Sequence, residues 1–273
     1  MTEQPHDTRV IQGEAEAYNA RLVRRVDQTD DLAYFWVKFD GEPVPFESGQ
    51  YMTIGVFAEG RLWQRPYSVA SPPSDAGSSG YEFYVRLVPI NRFTDLLWRL
   101  PVGHAMRMIG PKGKFMLEPE DDRTHVYVST GTGLAPFMSM LGETRRHGQL
   151  RQTVVLHGCS YVDELGYREQ LEAMERDGTY PLRYVPTISR PADPRNAGWS
   201  GRTGRVEAIV ADVCRDLDLR PDRTVVYICG NPEMIINVED VLMGLGFPEF
   251  HVKKELYWPK GKVAAPVEAG APR

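Results

Sequence analysis

The chain has 273 residues, 42% hydrophobic and 25% charged, with a formal charge of -5: a globular composition with room for two domains. The acidic balance argues against a general nucleic-acid binder, and no apolar run is long enough to cross a bilayer. Three widely spaced cysteines, Cys159, Cys214 and Cys229, exclude a disulfide framework or four-cysteine ligation of an iron–sulfur cluster.

The polar start, Met1 to Asp7, lacks the apolar core of a signal peptide, so a cytoplasmic protein is expected. Residues 1–16 read as a flexible lead-in. From Tyr18 to Phe115 short strands alternate with Gly and Pro: 20–26, 32–39, 50–56, 82–88 and 105–109. Strands at this spacing predict a small antiparallel β-barrel. One helix is predicted within it, at 93–100. The stretch Arg65-Pro66-Tyr67-Ser68 follows the third strand and offers a cation, an aromatic ring and a hydroxyl within four residues. A flavin nucleotide needs all three, for its pyrophosphate, its flat ring and its reactive nitrogen. An ordinary barrel strand would also account for the stretch.

After Pro119 the pattern changes. Strands are predicted at 125–130, 153–158, 182–188 and 224–229, and helices at 137–147, 164–176, 204–216 and 232–244. This alternation predicts an α/β domain with a parallel sheet wound on both faces. The expected organisation is thus a barrel domain at 17–118, an α/β domain at 119–258 and a Pro-, Gly- and Ala-rich extension at 259–273.

Two turns between strand and helix carry glycine. Gly131-Thr132-Gly133-Leu134-Ala135-Pro136 lets backbone N–H groups approach an anion at a helix N-terminus, although the last glycine of a dinucleotide fingerprint is replaced. Cys229-Gly230-Asn231-Pro232 repeats the arrangement, with proline in the first turn of its helix. Both fall at carboxyl ends of parallel strands, where open α/β sheets bind ligands. Ser189-Arg190 and Arg205 lie in loops of the same domain, and the planar fork of arginine suits a phosphate. Each arginine could equally be a solvated surface charge. The histidines are scattered, and no His/Cys/Asp/Glu grouping has metal-ligand spacing.

Taken in order, these motifs resemble the bacterial form of the ferredoxin–NADP+ reductase family. The likeness runs from Phe46-Glu47-Ser48-Gly49-Gln50-Tyr51 and Arg65–Ser68 through Gly110–Phe115, Gly131–Pro136 and Cys229–Pro232 to Glu255-Leu256-Tyr257-Trp258. It implies a β-barrel FAD domain followed by an NADP domain, with non-covalent FAD and NADP(H) as cofactors. Arg65 and Pro66 would lie at the flavin pyrophosphate, Tyr67 would stack on the isoalloxazine and Ser68 would hydrogen-bond its N5. Arg86, Val88, Arg92, Phe93 and Thr94 would complete the FAD site. Asn91 stands where glycine is common, as a residue that tolerates unusual backbone angles. Tyr257 would cover the other flavin face as a movable gate, and Trp258 would lie over the adenine.

The likeness assigns Gly131, Thr132, Gly133, Ser189, Arg190, Arg205, Gly230 and Asn231 to the dinucleotide, with Thr132 lining the flavin as well. Ser68, Cys229, Glu255 and Tyr257 would serve the reaction. Ser160 departs from the arginine that often helps hold the 2′-phosphate, which weakens the expected preference for NADPH. The implied activity is hydride transfer between NADP(H) and FAD, coupled to one-electron exchange with ferredoxin or flavodoxin. The chain is expected to act as a monomer. Arg86, Arg92, Arg99, Arg107, Lys112 and Lys114 against Asp95 make a local excess of five positive charges, a docking patch for an acidic carrier. Two other readings are the reductase component of an oxygenase with an external ferredoxin, and a non-catalytic flavin-binding electron-transfer subunit.

Overall fold

A computed structural model describes residues 18–118 and 121–256. Tyr257, Trp258, the lead-in and the extension at 259–273 lie outside the described residues. Two six-stranded sheets form the molecule. The first contains β1 (Ala20–Thr29), β2 (Leu32–Phe39), β3 (Tyr51–Ala58), β4 (Arg61–Ser68), β5 (Tyr81–Arg86) and β6 (Ala105–Lys112), in the order β4-β3-β6-β1-β2-β5. All its pairings are antiparallel. The sheet curls until its ends meet, because the chain leaving β4 pairs with β5 through Ala70 N–H and Glu82 O at 2.8 Å. Alternating residues point inward: Met52, Ile54 and Val56 of β3 and Met106 and Met108 of β6 are buried together with Phe35, Val37 and Phe83. Helix α1 (Arg92–Arg99) closes the barrel with Phe93 and Leu97.

The second sheet is parallel: β7 (Thr124–Thr130), β8 (Thr153–Cys159), β9 (Leu182–Ile188), β10 (Arg202–Thr203), β11 (Thr224–Cys229) and β12 (Val252–Glu255), ordered β10-β9-β8-β7-β11-β12. Its central strands β7, β8 and β11 are buried along almost their whole length, as strands covered on both faces are. Helices α2 (Ala135–Arg146), α3 (Arg168–Arg176), α4 (Val206–Asp216) and α5 (Pro232–Gly244) connect them.

The edge strands β10 and β12 have no counterpart in the sequence reading. β10 is two residues long and β12 carries Lys253 and Lys254, charges suited to an exposed edge. The helix expected from 164 begins only at Arg168. Val162–Glu164 forms a 3₁₀ turn and Tyr167 takes a left-handed backbone, φ 57°, so the helix cannot start earlier. Among the described residues no helix is long and apolar enough to cross a membrane.

Candidate functional site

The two glycine turns fold against one another. β7 and β11 are neighbours in register, Ser129 opposite Cys229, so the turns that follow them emerge side by side. Asn231 N–H donates to Thr130 Oγ1 at 3.0 Å, and the Asn231 side chain caps α5 by accepting from the N–H groups of Glu233 and Met234. A Cβ on Gly133 would stand 2.3 Å from the Cys229 carbonyl oxygen, and one on Gly230 would stand 2.4 Å from Thr130 Oγ1. Only glycine permits this approach, and the contact opens a cleft above the carboxyl ends of the strands.

That cleft has a volume of about 640 Å³. Gly131, Thr132, Gly133, Ser189, Arg190, Arg205, Gly230 and Asn231 all line it. These eight residues come from four parts of the sequence. The cleft thus combines backbone N–H groups at helix starts with two exposed guanidinium groups, a donor set that fits the phosphates of a dinucleotide. Arg190 donates from Nη1 to Tyr161 Oη at 2.6 Å, and Arg205 pairs loosely with Glu207 at 3.7 Å.

Arg86 and Val88, expected beside the flavin, line this same cleft. Arg86 Nη1 lies 2.7 Å from Asp31 Oδ2 and 2.9 Å from Glu164 Oε1, so it bridges the barrel to the parallel sheet. Glu164 is buried, and neither it nor Asp31 was singled out from sequence. The signal for Glu164 was an acid five residues past the end of a parallel strand; its partner is 78 positions away. Cys159 and His157 lie beneath the cleft. Burial pushes the Cys159 thiol up to about 12 and the His157 imidazole down to about 4, which keeps both neutral near pH 7.

On the barrel side, Arg65 is exposed midway along β4, with Nη1 donating to the neighbouring Gln64 carbonyl at 2.8 Å. Pro66 is exposed and Ser68 is buried. Tyr67 lies 5.9 Å from Phe93, ring to ring, and burial raises its phenol well above the usual range. The exposed fork and adjacent aromatic face fit a flavin nucleotide. Phe93 and Thr94 are buried; Thr94 Oγ1 accepts from Val88 N–H and donates within the same turn, so these two residues offer a ligand backbone rather than side chain.

One detail of that turn corrects the sequence reading. Asn91 is in an ordinary extended conformation, φ -86°, and accepts from the N–H groups of Phe93 and Thr94. An N-cap requires that backbone. The left-handed residue is instead Ile90, φ 65°, fully exposed. The charge count is corrected as well. Arg86 is matched by Asp31 and Glu164, and Arg92 by Glu59 and Asp95. Three acids from elsewhere in the chain reduce the local excess from five to two.

Of the four residues expected to serve the reaction, Tyr257 lies outside the described residues. Cys229 is fully buried at the end of β11, and Glu255 stands opposite it on β12. Glu255 lines a second cavity of about 400 Å³ with Lys114, Phe115, Lys253, Lys254 and Leu256. Ser68 belongs to the other sheet. Among the described residues no cluster of His, Cys, Asp and Glu is placed to hold a metal ion.

Comparison with known proteins follows the same division. Residues 19–117 match the oxidoreductase FAD-binding domain and residues 127–240 the oxidoreductase NAD-binding domain. Ferredoxin–NADP reductase B of Sorangium cellulosum is 34% identical over 251 residues, covering 89% of this chain and 99% of that protein. The terephthalate 1,2-dioxygenase reductase component 1 of a Comamonas species is 28% identical over 253 residues, covering 91% of this chain and 71% of that protein. The crystal structure of a ferredoxin NADP+ reductase from Neisseria gonorrhoeae with bound FAD and NADP superimposes with a TM-score of 0.75 at 22% identity, covering 88% of this chain and 98% of that one.

Proposed function

The chain belongs to the ferredoxin–NADP reductase family, and on that premise we propose that it carries reducing equivalents between NADP(H), FAD and ferredoxin or flavodoxin. The observation that carries this reading is the convergence of all eight expected dinucleotide residues on one cleft beside the barrel. FAD, when bound, supplies the exchange between a two-electron donor and a one-electron carrier.

The rest is the work of the chain. Arg65 and the first turn of α1 hold the flavin pyrophosphate, with Arg92 at the same helix start. Tyr67 presents its face to the ring and Ser68 its hydroxyl. The turns at Gly131–Gly133 and Gly230–Asn231 leave room for the dinucleotide backbone. Arg190 and Arg205 grip the 2′-phosphate, while Thr132 and the packed Cys229 shape the nicotinamide end. Burial lifts the Glu255 carboxyl to about 7, so it can hold or release a proton at working pH. Tyr257 and Trp258 keep their proposed roles as gate and adenine cover; both lie outside the described residues.

The test is the absorbance spectrum of the purified protein, followed by its bleaching with NADPH and then NADH. A flavin spectrum bleached faster by NADPH is expected. A colourless protein with no affinity for added FAD refutes the reading. The terephthalate dioxygenase reductase relative supports a second reading, delivery to an oxygenase through an external ferredoxin. Steady-state rates with flavodoxin, a free ferredoxin and an oxygenase-associated ferredoxin separate the two.

A further inference from the structure

Glu164 joins two features of the molecule, the dinucleotide cleft and the contact between the sheets. Its carboxyl lies in the cleft wall, with Oε1 2.9 Å from Arg86 Nη1 and Oε2 accepting from Ser160 N–H at 3.2 Å. The Glu164 side chain is 9% exposed and that of Arg86 31%. The surrounding contact between the sheets is close. Tyr84 Oη donates to the Glu164 carbonyl at 3.2 Å, and a Cβ on Gly166 would come within 2.2 Å of Tyr84 Oη.

An anion held this far from water needs its cation. Breaking a buried pair by removing one partner leaves an uncompensated charge. Here that charge would face the space that the phosphates of a dinucleotide enter. Ser160 supplies no cation, and its N–H is already engaged by the carboxylate.

We propose that Arg86 is a positioning residue for the dinucleotide: from the barrel it reaches across and neutralises Glu164 in the cleft wall. Incoming phosphates then meet Arg190 and Arg205 instead of an unpaired carboxylate. The proposal rests on the reading that this cleft takes NADP(H).

The experiment titrates NADPH and NADH into the full-length, FAD-loaded protein and compares wild type, Arg86→Met, Glu164→Gln and the double variant. Arg86→Met is expected to weaken both dinucleotides by a similar factor, roughly tenfold to a hundredfold, because the pyrophosphate is common to both. Glu164→Gln is expected to tighten both a few-fold, about threefold, because it removes one of the two carboxylates around Arg86 and leaves the Arg86–Asp31 pair neutral in the wall. The double variant is expected to recover most of the loss of Arg86→Met.

A contact that merely holds the sheets together predicts the opposite signs: Glu164→Gln as weak as Arg86→Met, and no recovery in the double variant. Either result overturns the proposal. So does loss of FAD from both Arg86 variants, read from the flavin absorbance, which would make Arg86 a flavin ligand. If Arg86→Met does not fold, Glu164→Gln decides alone, and weaker binding than wild type overturns the proposal. A wild-type protein that binds neither dinucleotide sinks the reading of the cleft itself, a separate outcome.

Discussion

Cys229 and Glu255 stand opposite one another in the parallel register of β11 and β12, and Glu255 Oε2 is buried with no hydrogen-bond partner among the described residues. Burial raises the Glu255 carboxyl from 4.5 to about 7. The folded protein therefore holds a proton there that the unfolded chain has released between those values. Stability contributed by this group is present below about pH 4.5 and is lost as pH rises through about 7. The loss is on the order of 3 kcal/mol. Glu255→Gln should flatten the fall in melting temperature between pH 5 and pH 8, and an unchanged slope refutes the assignment. The same substitution should remove an inflection near neutral pH from the rate of flavin reduction.

The close fit of the two glycine turns makes a prediction about stability. At Gly133 a methyl group would meet backbone, the Cys229 carbonyl at 2.3 Å and Gly230 Cα at 2.6 Å, and backbone cannot rotate away. Gly133→Ala should cost about 1–3 kcal/mol and separate the turns. Gly131 differs: a Cβ there meets nothing within 4 Å, and only its φ of 51° opposes substitution. Gly131→Ala should cost about 1–2 kcal/mol through the backbone alone. Thermal melts rank the two. NADPH titration should show the larger loss in Gly133→Ala, and equal binding in both variants would contradict the idea that the cleft depends on this contact.

Arg190 carries the prediction on cofactor choice. Its guanidinium lies 5.3 Å from the Tyr161 ring centroid, on a side chain that Arg195 also approaches, at 3.8 Å. The fork is thus held in place without an acid to neutralise it among the described residues. Arg190→Ala should raise KM for NADPH by about tenfold to a hundredfold, the scale of a lost charge-assisted phosphate contact, and raise KM for NADH by less than about threefold. Equal losses would put the 2′-phosphate elsewhere.

What the sequence made legible follows from the range of the interactions involved. Strand alternation in β2 and β3, glycine turns after β7 and β11, and proline at the start of α5 are local signals, and each marks an element of the fold. Seven of the eight cleft residues lie just beyond a strand marked by its own local pattern, and the family likeness assigned all eight, Arg205 included, to the dinucleotide. Arg86 was assigned to the flavin alone because its partners are Asp31 and Glu164, 55 and 78 positions away. No spacing rule pairs residues at such distances. The backbone of Ile90 escaped notice for another reason: a β-branched residue is among the least expected at positive φ. β12 has one buried apolar residue and two lysines, too little pattern to mark a strand before its neighbour is known.

The last prediction concerns the carrier. Of the six cations between Arg86 and Lys114, Arg86, Arg92 and Arg99 are held by carboxylates. Lys112 and Lys114 are exposed, and no carboxylate among the described residues lies within ion-pairing distance of either. Lys114 also shares a cavity with Glu255, the residue proposed to handle protons. Long-range steering depends on charge that is not already compensated, and salt screens it. Lys112→Gln with Lys114→Gln should therefore lower kcat/KM for an acidic ferredoxin by roughly twofold to fivefold at low ionic strength, with little effect at high salt. Arg99→Gln should do much less, because its charge is spent on Asp95. The check is kcat/KM for the carrier against ionic strength in each variant, with NADPH-to-dye activity as the control for intact flavin chemistry. Equal effects from the lysine and arginine substitutions, or a wild-type rate indifferent to salt, would remove the docking role from this face.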